Sequence, residues 1–576
     1  MTALVLGPLV RYVDEHTASV WVKTVAAARV TVCAGEHEAT ARTFGVHGHH
    51  YALVELDGLP RGTRLDYRVL VDGEPVWPPA DSPYPPSQIV TLDHDEPLRV
   101  VFGSCRTSIS HDAEGNGIHG VDALRAYALR MAGVTDASGD HDPDAGGDVR
   151  WPGLLLFLGD QVYADETTAE MREFIEARRD IEQPPWTELK DYQEYAHLYQ
   201  IAWVEPTNRW LLSTVPSAMI FDDHDIRDDW NTSQVWKDEM EATSWWHGRV
   251  VAGLAAYWVY QHLGNLSPAQ RVDDEVWRAI TAHEGEHEHD ATAHLDALAE
   301  RADQHPESYR WSHSRDFGSQ ARLVVIDSRA ARVLEPGRRS ILDAHELAWL
   351  DEQMRGDVDH LLLGTSLPFL LAPGLHYVEA FNEALAGGAW GRRVGTLSER
   401  MRTTVDLEHW AAFQEGFQTV AAMVLEVARG MRGRAPRTVT FLSGDVHHSY
   451  VCEARATRRA TEGQPPLRSR VVQAVCSPIR NPMPRKVRFA TTVVSTGVAG
   501  SVGRAVARWA RLPEAPVRWR LAKGPWFDNN LATLEVTPSG LHLWWARGEV
   551  HEGRHDRPAF VQVASHDVEA ADRVAG

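Results

Sequence analysis

From residue 97 onward, short runs of almost continuous apolar residues alternate with stretches of helical periodicity. The runs are LRVVFG (98–103), GLLLFLG (153–159), PSAMIF (216–221), ARLVVID (321–327), HLLLGTS (360–366) and TVTFLSG (438–444). Near-continuous apolarity of this length suggests strands buried on both faces. The stretch 405–431, VDLEHWAAFQEGFQTVAAMVLEVARGM, has helical periodicity and ends in basic residues at a glycine. Buried strands interleaved with helices predict an α/β architecture. After residue 445, SYVCEA, RVVQAVCS, NLATLEV and LHLWWAR read as a second group of strands.

The first 92 residues read differently. ASVWVKT (18–24), ARVTVCA (28–34), YALVELDGL (51–59) and LDYRVLVDG (65–73) alternate and end at turn residues, as antiparallel sandwich strands do. The proline-rich WPPADSPYPPS (77–87) cannot pair into a sheet and serves as the linker. The expected division is therefore a fibronectin-III-like β-sandwich at 1–92, with a structural role, and an α/β domain at 93–576.

Composition excludes some functions. With a net charge of −22, the surface attracts neither nucleic acid nor anionic membrane. No apolar stretch reaches the ~18 residues of a membrane span. The start, MTALVLGPLVRYVDE, has no basic n-region or apolar h-region, and the four cysteines are widely scattered. The expected location is the cytoplasm, with thiols reduced. Residues 451–523 hold 15 Lys+Arg against 3 Asp+Glu, a local +12. That stretch either draws in an anionic substrate or offsets acidic loops. DHDPDAGGD (140–148) has Ala145 where a calcium loop needs Gly and is read as a solvated loop. HEGEHEHDATAH (283–294) follows no buried strand and is read as a mobile surface segment.

The residues just after the apolar runs carry the chemistry. Ser104, Cys105 and Arg106 follow the first run, and Asp160, Tyr163 and Asp165 the second. Asp222, Asp223, His224 and Asp225 follow the third, and Asp445, His447 and His448 the last. Each alone has a plainer explanation: a helix cap for Asp160, an inert thiol for Cys105, packing for Tyr163. Jointly they place Asp, His, Tyr and Cys at the carboxyl edge of a sheet, where ligands bind. Carboxylates that dense cannot all stay ionised without cations, and a pair of metal ions supplies the charge. Ser104 and Ser366 are read as strand-end hydrogen-bonding residues.

FGSC (102–105), GDQVYAD (159–165), DDHD (222–225), GTS (364–366) and GDVHHS (444–449), in this order, resemble the alkaline phosphatase D family of metallophosphatases. The resemblance runs over roughly 97–550, including GPWFDNNLATLEV (524–536). It implies the metallophosphatase α/β/β/α sandwich behind an N-terminal β-sandwich, related to purple acid phosphatases. It implies phosphomonoesterase or phosphodiesterase activity at an iron(III) paired with calcium or another divalent cation. Carried over, Cys105, Asp160, Tyr163 and His447 surround iron, Asp160 bridges, Asp223 and Asp445 hold the second cation, and His224 touches substrate phosphate. The chain departs from the family in having Asp225 where Glu is common and Asp228 and Asp229 where asparagines are common. That leaves open the identity of the divalent metal and whether Asp222 joins Asp223.

Such an inventory suits hydrolysis of a small-molecule phosphate ester by metal-activated hydroxide, with in-line displacement between two cations. Arg106 has two readings, a bidentate phosphate contact or a salt bridge to nearby aspartates. His224 would protonate the leaving oxygen or hydrogen-bond the phosphate. Two other readings are a nucleotide or phospholipid diesterase of narrow range and a non-catalytic binding protein.

Overall fold

The computed structural model describes residues 3–134, 150–335, 337–355, 357–404, 407–484 and 514–571, with Arg488, Thr491, Thr492 and Leu512 between the last two. The stretch 140–148 lies outside them.

Two sheets are built almost wholly from the first 90 residues. One runs Leu4–Val13, Ala18–Thr24, His49–Leu56, Phe44–Val46; the other runs His37–Arg42, Arg29–Ala34, Arg64–Val71, Glu74–Trp77, with Gln88–Val90 also on Arg64–Val71. These pairings are antiparallel. Alternate residues such as Val20, Val22, Val30, Val32, Val54 and Val69 close a common core, each fully buried aliphatic chain contributing about 1.5–3 kcal/mol. The stretch 283–294 is not a free surface segment throughout. Its residues His289–Asp290 add a parallel strand to Phe44–Gly45, and Glu288 bonds His50 at 2.7 Å.

The remainder forms two mixed sheets. The first has the order Ser217–Ile220, Leu154–Leu158, Arg99–Gly103, Leu531–Thr537, Gly540–Glu549, Ala559–Glu569, its first three strands parallel. The second has the order His313–Phe317, Ala321–Ile326, His360–Thr365, Thr438–Ser443, Arg470–Val475, Ser449–Ala456, Val517–Trp526, with the four strands from Ala321–Ile326 to Arg470–Val475 parallel. The strands expected after residue 445 thus divide between the two sheets. Strand alternation explains the layering. Leu362, Leu442, Val472 and Ala474 share one core with Leu154–Leu158 of the first sheet. Their neighbours Leu361, Leu363, Val439 and Phe441 pack instead on Val420, Ala421, Val424 and Leu425 of the helix Gln414–Arg429. Helices such as Ala123–Met131 and Tyr192–Trp203 cover the first sheet. This is a mixed α/β protein with antiparallel sheets at its amino terminus.

The helix expected over 405–431 starts only at Gln414, after a 3₁₀ turn at Trp410–Ala412, and ends at Gly430 in the left-handed region (φ 77°). The displaced residues Glu408 and His409 turn inward to charged partners. Among the described residues, no helix is long and apolar enough to cross a membrane.

Candidate metal centre

The four polar clusters meet, but not on one sheet edge. Cys105, Asp160 and Asp222 follow strands of the first mixed sheet, and Asp445 follows Thr438–Ser443 of the second. The site lies between the carboxyl ends of two facing sheets. Glycines permit that approach: at Gly159 (φ 101°) a Cβ would stand 2.7 Å from Asp222 Cβ and 3.1 Å from Ser366 Cβ. Cys105, Asp160, Asp445 and His447 all have φ between 48° and 64°, a region that costs non-glycine residues energy and recurs at functional sites.

Asp225 fastens two of these turns. Its Oδ2 accepts the backbone N–H of Asp160 (3.0 Å) and of Asp222 (2.9 Å), and its Oδ1 accepts Gln261 Nε2 (3.0 Å). Burial lifts its pKa to about 7 against these hydrogen bonds. Ser104 Oγ accepts the N–H of Asp445 at 2.9 Å, and Ser366 Oγ lies 2.5 Å from Ser328 Oγ.

Asp160, Asp222, Asp223 and Asp445 each offer a carboxylate oxygen within 4.8 Å of the others, and Asp223, His224 and Asp228 form a second such group. Asp160 Oδ1 and Asp222 Oδ2 are buried without a hydrogen-bond donor among the described residues. Burial, and then the neighbouring carboxylates, push Asp160 and Asp222 well above the usual range. Burial with the Glu408 and Asp445 charges holds Asp223 at about 6 in spite of Arg329. Acceptors that are buried, clustered and unpartnered fit a hard or borderline cation, which would do what protons otherwise do.

Part of the compensating charge is protein. Arg329 is wholly buried and pairs with Asp222, with Asp223 (Nη2 to Oδ1, 3.0 Å) and with Glu408 (Nη2 to Oε1, 2.7 Å). His409 bridges Asp445 Oδ2 (3.0 Å) and Glu379 Oε1 (2.8 Å). Burial would raise Asp445, but the His409 bond and charge bring it down to about 2. Sequence reasoning missed Arg329, Glu408 and His409. Arg329 stands two residues past the ARLVVID run, so the strand-end rule that found the other clusters reaches it as well.

Cys105 Sγ lies 3.3 Å from Asp160 Oδ2, and burial with the Asp160 and Asp445 charges raises its thiol. The Tyr163 hydroxyl accepts Asn481 Nδ2 at 3.0 Å, and burial with Cys105 and Asp160 raises the phenol. Burial lowers His447 to about 4, the neutral form a metal ligand needs. His447 and Cys105 lie outside the two groups of converging oxygens. His224 Nδ1 is 2.9 and 3.0 Å from the Asp165 oxygens, and its ring is 4.8 Å from that of Tyr163. Burial disfavours the imidazolium, yet Asp165 and Asp223 raise His224 well above its ordinary value.

Arg106 is turned away from this cluster. Its Nε and Nη2 bond Asp122 Oδ2 at 3.0 and 2.8 Å, and Nη1 bonds the Ala202 carbonyl and Ser108 Oγ. With 3% exposure, the guanidinium is engaged in the wall, and the salt-bridge reading replaces the phosphate contact, although the partner is Asp122 rather than a centre aspartate. Of the basic stretch 451–523, residues 493–511 lie outside the described residues, as do most of 485–490.

A family model described as PhoD-like phosphatase matches residues 148–499, and one described as a domain of unknown function (DUF7800) matches residues 1–89. A solved structure of PhoD is similar in fold, with TM-score 0.57 and 12% identity over 98% of this chain and 90% of that one. A type III pullulan hydrolase from Thermococcus kodakarensis, at TM-score 0.14 and 10% identity over 95% of this chain and 94% of that one, carries no argument. No curated protein is significantly similar in sequence. The PhoD-like model takes in three of the four strand-end clusters and both groups of converging metal-ligand residues: the chain belongs to the PhoD-like phosphatase family and is a hydrolase acting on phosphoric esters.

Proposed function

We propose that the chain is a metal-dependent phosphomonoesterase or phosphodiesterase acting on small phosphate esters. The observation that carries this is the set of four converging carboxylates, Asp160, Asp222 and Asp223, which are buried, and the half-buried Asp445, with two oxygens that no donor meets among the described residues. Asp160, Asp223 and Asp445 would hold the cations. Cys105, Tyr163 and His447 would complete the shell of an iron(III), with calcium or another divalent ion beside it. Bound there, such cations neutralise phosphoryl charge and make water acidic enough to attack at neutral pH.

The chain's own residues do the rest. Asp165 fixes the His224 ring through Nδ1, which leaves Nε2 to hydrogen-bond a phosphoryl oxygen or protonate the leaving oxygen. Arg329 and His409 hold Asp222, Asp223 and Asp445 in place through charge-assisted bonds. The division at residues 92/93 and a cytoplasmic location belong to the same proposal. The four cysteines, Cys33, Cys105, Cys452 and Cys476, are free thiols.

The test is turnover of a panel of phosphomonoesters and phosphodiesters, before and after chelation and with single metals restored. Activity that falls on chelation and returns with metal is expected. Undiminished turnover after exhaustive chelation would refute metal dependence, and the panel separates monoesterase from diesterase.

A further inference from the structure

On the side of the strand Ser217–Ile220 that meets the amino-terminal sheets, the protein buries a second charge cluster, of opposite sign. Arg11, on Leu4–Val13, is wholly buried. Its Nη1 donates to the Tyr260 carbonyl (2.8 Å), and its Nη2 to the Gln261 carbonyl (2.6 Å) and Asn265 Oδ1 (3.2 Å). Those carbonyls close the π-helical turn Trp258–His262, where helix-end acceptors lack partners. Arg11 therefore has local acceptors but no carboxylate.

Arg315 has less. On the edge strand His313–Phe317 it is 4% exposed, and its guanidinium lies 4.8 Å from the Tyr12 ring centroid. Among the described residues, its Nε and Nη2 are buried with no acceptor, and no carboxylate is within ion-pair distance. Asp14 accepts the backbone N–H groups of His16 and Thr17, and Glu55 is paired with Arg271. His313, two residues earlier on the same face, has both ring nitrogens buried with no well-formed hydrogen bond among the described residues, the Trp311 backbone being the one acceptor near its ring. Arg11 Nε and His262 Nδ1 also lack a partner among the described residues. His262 packs on Trp311 at 5.1 Å, immediately before that strand.

Protonation equilibria cannot relieve this cluster. Burial lowers Arg11 to about 9 and Arg315 to about 10, so both stay charged at neutral pH. Burial, followed by the neighbouring charges, lowers His262 to about 3 and His313 well below its usual value. Two guanidinium charges remain in the interior among neutral imidazoles with N–H groups to donate. An uncompensated buried charge is unfavourable, and a small anion accepting several N–H bonds removes the penalty.

We propose that Arg315, His313, His262 and Arg11 form a buried site for a small inorganic anion, chloride or inorganic phosphate, separate from the metal centre. The site is joined to the centre by hydrogen bonds. Gln261, in the same π-turn, holds Asp225, which holds the turns of Asp160 and Asp222.

The test compares thermal midpoints of the whole protein in sodium chloride, in sodium gluconate of equal ionic strength, and in gluconate with added inorganic phosphate. A concentration-dependent rise of about 1–3 °C in one anion arm is expected. The rise should be smaller in Arg315→Met by the share due to this site, and the difference between wild type and variant cancels any contribution from phosphate at the metal centre, which both retain. Equal midpoints in all three salts, or an undiminished shift in Arg315→Met, overturn the site. If Arg315→Met does not fold, wild-type crystals grown with sodium bromide and with phosphate decide. An anomalous peak or tetrahedral density among the four residues supports the proposal, and neither in both crystals refutes it.

Discussion

The strand Ser217–Ile220 separates two buried clusters of opposite sign. At its carboxyl end, Asp222 and Asp223 join Asp160 and Asp445, leaving acceptors without donors. Beside its middle, at Met219, Arg11 lies in a cluster where several donors, its own Nε and those of Arg315 among them, have no acceptor among the described residues. The acidic cluster has internal remedies, because its carboxylates can take up protons and Arg329 and His409 sit among them. The basic cluster has none, because guanidinium does not discharge near neutral pH. Clusters of carboxylates can exchange protons and cations, whereas a buried guanidinium keeps its charge near neutral pH.

The sharpest break of that contrast is at the acidic centre. Asp160→Asn keeps shape and removes one of the four converging carboxylate charges, the one proposed to bridge two cations. A fall in kcat of about 1,000-fold or more is expected, with unchanged secondary structure. Steady-state turnover beside circular dichroism checks it, and retention of a tenth of the activity would contradict the bridging role.

Next in size is the internal cation. Arg329→Met leaves Asp222, Asp223 and Glu408 without their shared partner, and a loss of about 3–5 kcal/mol in metal-free protein is expected. Denaturant unfolding with and without chelator reads it. A smaller loss when metal is bound would show that metal and Arg329 neutralise the same carboxylates.

His224→Ala should cost about 100-fold in kcat and leave metal content near wild type, whereas His447→Ala should lose metal. Elemental analysis beside kinetics distinguishes them, and equal metal loss in both would show the roles to be wrongly divided. The Asp165–His224 pair also has a pH signature. Burial raises Asp165, but the His224 charge and bond hold it at about 2, below 3.8, so its contribution is present above 3.8 and lost as pH falls toward 2. His224 is raised above 6.5, so its contribution is full below 6.5 and lost as pH rises through the higher folded value. Asp165→Asn should therefore lower stability most between those limits, which unfolding at a series of pH values would show.

The smallest effect is expected at Tyr163. Tyr163→Phe keeps the ring against His224 and removes the hydroxyl bonded to Asn481, for a rate change of a few-fold (on the order of 1 kcal/mol). A bound iron(III) would make the wild type coloured and this variant pale, which absorption spectroscopy reads directly. A colourless, fully active wild type would leave divalent ions alone.

Much of this was legible in the sequence because buried parallel strands leave few choices. Each apolar run became a strand, and the residues after four of them converge. Two things were not legible. Apolar runs do not say which sheet a strand joins, so a site between two sheets was read as one edge. Charges far apart in the chain give no signal of pairing, so the sequence does not separate the phosphate and salt-bridge readings of Arg106, which Asp122 holds. Likewise Glu408 and His409 were absorbed into a helical pattern, although Arg329 and Asp445 draw them out of it.

The most direct test of the central claim is the metal content of the purified enzyme, measured with its phosphoesterase activity in the same preparation through chelation and reconstitution. At least one tightly held metal ion per chain is expected in the wild type, with activity falling in step with metal and recovering on its return, and with Asp160→Asn deficient in both. Full phosphoesterase activity in protein depleted of metal to below about a tenth of an ion per chain, a level that mass action could not reconcile with a required cation, would contradict it.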